Sequence, residues 1–136
     1  MSEENYRIML VDDEPLQLSL VGRTLRADGF RVVSTDSSLG VTNTVRTFQP
    51  HLMLLDVRIP ELSGDRLVPL VRRIAPETLL ILYSACDQDQ LRRLASTVSA
   101  DGWISKSDDI GKLSKRLKDL IVKGRSGKDS SRMNKI

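Results

Sequence analysis

The sequence predicts a doubly wound (βα)5 sandwich: a five-stranded parallel sheet in the order 2-1-3-4-5, with helices on both faces. Three observations carry this reading. Short apolar runs alternate five times with longer amphipathic stretches. Two of the runs are continuously apolar rather than alternating, which suits strands covered on both faces. The stretches between runs have helical spacing, so each is a crossover, and right-handed crossovers favour that strand order.

The strands are expected at Ile8 to Val11, Phe30 to Val33, Leu52 to Leu55, Leu79 to Tyr83 and, more briefly, Trp103-Ile104. The first helix carries Leu18, Val21 and Leu25, with Asp13 as N-cap, Pro15 in the first turn and Gly29 as the stop. The second carries Val41, Val45 and Phe48 and ends at Pro50. Its Gly40, Thr42, Asn43 and Thr44 are poor helix formers, so it is expected to be loosely held. The third carries Leu67, Leu70, Val71 and Ile74 and ends at Pro76, with Pro69 inside it as a weakening or bending element. Leu91, Leu94, Ala95 and Val98 make the fourth stripe. Ile110, Leu113, Leu117, Leu120 and Ile121 make the fifth.

With 136 residues, 40% hydrophobic and 29% charged, the chain has room for one ordinary globular domain. No apolar run approaches the roughly 18 residues of a membrane span, and the acidic N-terminus is not a secretory signal. A single cysteine, Cys86, and a single histidine, His51, exclude an internal disulfide and a Cys/His zinc cluster. A reducing, cytoplasmic setting is expected. The net charge of +3 is uneven: residues 111–136 hold nine Lys/Arg against Asp119 and Asp129, leaving 12 basic and 16 acidic residues before them. The domain is expected over 1–123, followed by a flexible basic tail over 124–136.

Ligands of an open parallel sheet bind at the carboxyl ends of its strands, where the strand order reverses. Asp12, Asp13 and Glu14 follow the first strand, Asp56 the third, Ser84 the fourth and Lys106 the fifth. The first and third strands flank the switch point, so their acids should converge. Packed carboxylates repel one another, and a divalent cation removes the difficulty; an all-oxygen set suits Mg²⁺. A cation there attracts a phosphoryl group, with Lys106 and Ser84 completing the cage, and Asp56 becomes a nucleophile able to form an aspartyl-phosphate.

Four pieces now stand in order at strand ends: Val-Asp-Asp-Glu-Pro (11–15), Leu-Leu-Asp-Val-Arg-Ile-Pro-Glu-Leu-Ser-Gly (54–64), Tyr-Ser-Ala (83–85) and Ala-Asp-Gly-Trp-Ile-Ser-Lys (100–106). Over residues 5–122 the sequence resembles the receiver domains of two-component response regulators, and is similar to the single-domain chemotaxis type, with its flavodoxin-like fold. The resemblance implies that Asp13, Asp56 and the backbone carbonyl of Arg58 ligate Mg²⁺ directly and Asp12 through water. It implies that Asp56 accepts a phosphoryl group from a sensor histidine kinase or phosphotransfer protein, that Ser84 hydrogen-bonds the phosphoryl and that Lys106 pairs with it. Trp103 takes the place of the family's switch aromatic, and Pro60 and Gly64 shape the loop after the acceptor. A downstream protein would read the face made by the fourth helix, fifth strand and fifth helix. Catalysis would extend only to the chain's own phosphorylation and dephosphorylation.

The sequence also departs from the family pattern. The usual Lys-Pro step is Lys106-Ser107, expected to be trans because a cis bond there costs about 3 kcal/mol. Ser99 stands where a glycine is common, Trp103 is bulkier than the usual aromatic, and Arg58 holds a position that tunes dephosphorylation. Plainer readings stand beside the functional ones. Asp12 to Glu14 suit a helix N-terminus, Ser84 a turn, Trp103 core, His51 a strand start, Cys86 a small filler and Arg58 a solvated charge. Other functions fit less well. A flavodoxin-like cofactor binder would not place Asp12 and Asp13 in a phosphate loop, and a phosphohydrolase would carry an acid where Arg58 stands. The main alternative is a degenerate receiver serving as a constitutive docking module. Nucleic acid and membrane are not expected as partners, and a homodimer is left open. A DNA-binding or enzymatic output domain does not fit in this length, so the protein acts alone by docking or the chain is a receiver of something longer.

Overall fold

The computed structural model describes residues 5–36, 40–56 and 64–126. Its elements are β1 (Arg7–Val11), α1 (Pro15–Ala27), β2 (Arg31–Thr35), α2 (Val41–Phe48), β3 (Leu52–Leu55), α3 (Gly64–Ile74), β4 (Leu79–Ser84), α4 (Gln88–Thr97), β5 (Gly102–Ser105) and α5 (Leu113–Ser126). A single 3₁₀ turn, Ile110–Lys112, precedes α5, capped by Asp109 accepting from the Gly111 N–H at 2.9 Å. The five strands are parallel in the order β2-β1-β3-β4-β5, as expected.

The continuous apolar runs work as two interleaved sets. Ile8, Leu10, Leu54, Ile81 and Ile104 point to one face, where Val21 and Leu25 of α1 and Leu117 and Ile121 of α5 cover them. Met9, Val11, Leu55 and Leu82 point to the other, under Val45 of α2, Val71 of α3 and Leu91 of α4. Alternate residues of one strand thus enter opposite cores, which is why no polar residue interrupts β1 after Arg7 or β3.

Several local expectations are corrected. The N-cap of α1 is Glu14 and not Asp13, because Pro15 occupies the first helical turn. Glu14 makes no side-chain cap; its N–H instead donates to Asp12 Oδ1 at 3.0 Å. In α3, Val68 is buried and Leu70 is 39% exposed, so the inward stripe is Leu67, Val68 and Val71, with Ile74 packed at its edge and Ala75 buried just past the helix. The helix runs through Pro69, whose ring faces solvent. Short α2 is pinned by the fully buried Val41 and Val45 and closed by Gln49 in the left-handed region at φ 48°.

The last helix continues to Ser126, so Gly124, Arg125 and Ser126, assigned to the tail by sequence, are helical. Gly124 packs closely within it: a Cβ there would meet the Leu79 side chain, Cδ1 at 3.2 Å, at the start of β4. The rest of the expected tail, 127–136, lies outside the described residues. No cis peptide bond occurs among the described residues, and Lys106-Ser107 is trans as expected. Ser99 is left-handed at φ 61°, the conformation a glycine accepts without strain. No described helix is long and apolar enough to cross a membrane.

Candidate functional site

The ladders of the sheet carry one residue past the strand ends and fix the site. Asp12 N–H donates to Thr35 O at 3.2 Å, Asp56 N–H to Val11 O at 2.9 Å and Lys106 N–H to Ser84 O at 2.8 Å. Extending the register by two residues beyond Leu10, Leu54, Ile81 and Gly102 gives the next row on the α1/α5 face: Asp12, Asp56, Tyr83 and Ile104. Two acids therefore stand side by side at the switch point, by backbone pairing alone.

Carboxylate oxygens of Asp12, Asp13 and Asp56 all lie within 4.8 Å of one another. Asp12 and Asp56 are buried and Asp13 is exposed. Lys106 answers part of this charge: its Nζ is 2.6 Å from Asp12 Oδ2 and 3.6 Å from Asp56 Oδ2, with a side chain only 8% exposed. Three carboxylates against one ammonium leave a negative excess in a partly dry place, where charges are felt most strongly. The donors are all oxygens, two fixed by the sheet and one at the solvent edge. That set fits a hard divalent cation such as Mg²⁺, which keeps part of its water shell, and does not suit zinc.

Ser84 is completely buried, and its Oγ accepts the Cys86 N–H at 3.4 Å, so it closes the turn after β4. Trp103, opposite Leu82, is half-buried and packs on the α2–α3–α4 side together with Leu94 and Val98. Cys86 is half-buried in the same cluster. His51 stands just before β3, where its Nδ1 accepts the Arg7 N–H at 2.9 Å, the strand-start role. Arg58 and Pro60 lie outside the described residues, and Gly64 opens α3.

Sequence reasoning passed over two features. Tyr83 lies under Lys106, whose Nζ is 5.6 Å from the ring centroid. Burial holds the Tyr83 phenol above its ordinary pKa of 10.0, and the negative charges of Asp12 and Asp108 add to this. Its signal was present as the one phenol after the aliphatic run Leu79 to Leu82. The other feature is Arg72 of α3, whose Nη2 donates to Ser99 O at 2.7 Å and whose Nη1 meets Asp101 Oδ2 at 3.1 Å. At the Lys106-Ser107 step, the Ser105 and Ser107 hydroxyls lie 2.7 Å apart and Ser107 N–H donates to Ser105 Oγ at 3.1 Å.

Comparison with known proteins agrees with this architecture. The family model for the response regulator receiver domain matches residues 8–118. The chain is 26% identical over 114 residues to the "Probable transcriptional regulatory protein TcrX" of Mycobacterium tuberculosis, covering 84% of this chain and 49% of that protein. It spans about half the length of the curated relatives it matches. Among solved structures it is similar to the signal receiver domain of the NarL response regulator of M. tuberculosis, with TM-score 0.77, 26% identity, and coverage of 88% of this chain and 98% of that one. A CheY-like receiver domain from Methanospirillum hungatei has the same fold, with TM-score 0.78, 19% identity, and coverage of 90% of this chain and 98% of that one.

Proposed function

This chain belongs to the response regulator receiver domain family, and on that premise we propose that it is a phosphorylation-switched signalling module whose phosphoacceptor is Asp56. The observation that carries the reading is the placement of Lys106, whose ammonium bridges toward both buried acids at the carboxyl edge of the sheet. A carboxylate nucleophile needs little from a protein besides position and neutralised charge, and both are prepared here.

In the reaction an Asp56 oxygen attacks phosphorus, a P–O–C bond forms, and the P–N bond of a donor phosphohistidine breaks with its electron pair going to the imidazole. Asp12 and Asp13, with Asp56, would hold Mg²⁺, which when bound supplies positive charge for the phosphoryl oxygens. Lys106 shifts its ammonium from Asp12 to the incoming phosphoryl. Ser84 exchanges its bond from the Cys86 N–H for one donated by its own hydroxyl to a phosphoryl oxygen. That exchange draws on the turn leading into α4, and Trp103, packed beside Leu94 and Val98, registers it. The α4–β5–α5 face then favours a downstream protein. The donor is a sensor histidine kinase or phosphotransfer protein. The chain acts on no substrate besides its own acyl phosphate, in a cytoplasmic setting.

The test uses acetyl phosphate with Mg²⁺. Intact-protein mass should rise by one phosphoryl group, Trp103 fluorescence should change in step, and both responses should vanish in Asp56→Asn. Labelling at another residue, or none with Mg²⁺ saturating, overturns the proposal.

A further inference from the structure

We propose that Tyr83 is a positioning residue for Lys106, holding the ammonium over the acid row through the face of its ring; the inference rests on the function proposed above for that site. The argument starts from the order of strands. Lys106 leaves β5, while its acidic partners stand at the ends of β1 and β3. β4 lies between. To reach Asp56 and Asp12 the lysine must therefore cross β4, and the residue that β4 places in that row, on that face, is Tyr83.

Tyr83 is 6% exposed, and beside the row it lines a small cleft with Leu10, Asp12, Gln17 and Leu18. The crossing is consequently made over an aromatic face, with Nζ 5.6 Å from the centroid. An aliphatic residue at this position would leave the ammonium stripped of water with carboxylates on one side only. The negative face of the ring compensates from below, and it does so wherever Nζ sits along the crossing. Asp12 fixes the far end at 2.6 Å. A phosphoryl group on Asp56 would draw Nζ back toward β3, still above the same ring. Tyr83 thus supports both ends of the lysine's travel, which a carboxylate partner could not do.

The experiment uses the full chain with Tyr83→Phe, Tyr83→Leu and a series of ring-fluorinated phenylalanines at position 83, which keep the shape and weaken the face stepwise. Two readouts are taken: the initial rate of Asp56 labelling by acetyl phosphate with Mg²⁺, and the ¹⁵N signal and proton-exchange rate of the Lys106 ammonium in metal-free protein. Tyr83→Phe should label at nearly the wild-type rate. Fluorination should slow labelling progressively, to about 3-fold at the most fluorinated ring, and speed exchange of the Lys106 ammonium in parallel. Tyr83→Leu should be slower still. Rates and exchange that are flat across the fluorinated series overturn the inference even if Tyr83→Leu is impaired, because packing alone then explains the loss. If the wild type is not labelled at all while Lys106 exchange still follows fluorination, the proposed function falls and the ring's hold on the lysine stands.

Discussion

Asp101, in the loop between α4 and β5, shares one carboxylate oxygen between two elements: Oδ2 accepts the Leu80 N–H of β4 at 2.8 Å and meets Arg72 Nη1 of α3 at 3.1 Å. Its own N–H returns the bond to Leu80 O at 2.7 Å. Arg72 also takes Ser99 O, so one guanidinium ties α3 to the entrance of β5. Two charge-assisted hydrogen bonds from one guanidinium, with partial burial, make this worth more than an ordinary surface pair.

Arg72→Ala should therefore cost about 1–2 kcal/mol in urea denaturation, since it leaves a mostly buried carboxylate with one partner fewer. Asp101→Asn keeps an acceptor for Leu80 and should cost less. Equal losses, or a loss below about 0.5 kcal/mol for Arg72→Ala, would show that the clamp is slack.

Ser99→Gly should stabilise the protein by about 0.5–1 kcal/mol. The serine holds φ 61°, and glycine removes that strain, against a smaller gain in unfolded-state entropy. The Ser99 carbonyl that Arg72 uses is retained. A shift of the urea midpoint at unchanged slope is the expected signature.

The acid cluster is a source of instability without metal. In EDTA, Asp56→Asn should be more stable than wild type by about 1 kcal/mol, because it relieves repulsion with Asp12 and Asp13. Lys106→Met should be less stable by about 2 kcal/mol, having lost the ammonium that answers Asp12 and Asp56. Added Mg²⁺ should raise the melting temperature of Lys106→Met more than that of wild type and leave Asp56→Asn nearly unmoved. Identical responses in the three proteins would sink this account of the charges.

Tyr83 sets an alkaline limit. Its pKa is raised in the folded state by burial first and by the negative charges of Asp12 and Asp108 next. The unfolded chain consequently releases this proton first. Stability is complete below pH 10.0, the ordinary value, and falls as pH rises from there toward the folded pKa. Denaturation in EDTA between pH 8 and 11 should show the decline in wild type and a shallower one in Tyr83→Phe. Parallel curves would assign the decline to other groups.

How much of this was legible in the chain follows from the range of the forces involved. Strands and their order were readable because alternate residues of Ile8–Val11 and Leu52–Leu55 must enter opposite cores, a constraint written into four consecutive letters. The convergence of Asp12 and Asp56 followed from strand order alone, whereas Lys106 reaches them only by crossing β4. Val68 and Leu70 were not separable, since both are apolar, and only the rotation of α3 on the sheet decides which turns inward. Asp13 and Glu14 are equally good caps by type; Pro15 settles the matter by taking the first turn. Arg72 with Asp101, 29 positions apart, and Tyr83 beneath Lys106 are pairings of tertiary structure, with no local spacing to announce them.

The close packing of Gly124 on Leu79 sets a distance. α5 closes against the beginning of β4, while Asp12 and Asp56 stand in the row of Tyr83 near its far end; the four steps from Leu79 to Tyr83 correspond to about 13 Å. Physiological ions damp a charge within about 8 Å. The ammonium of Lys123 is thus largely screened from the acid cluster, and neutralising it should leave the affinity for added Mg²⁺ where it was.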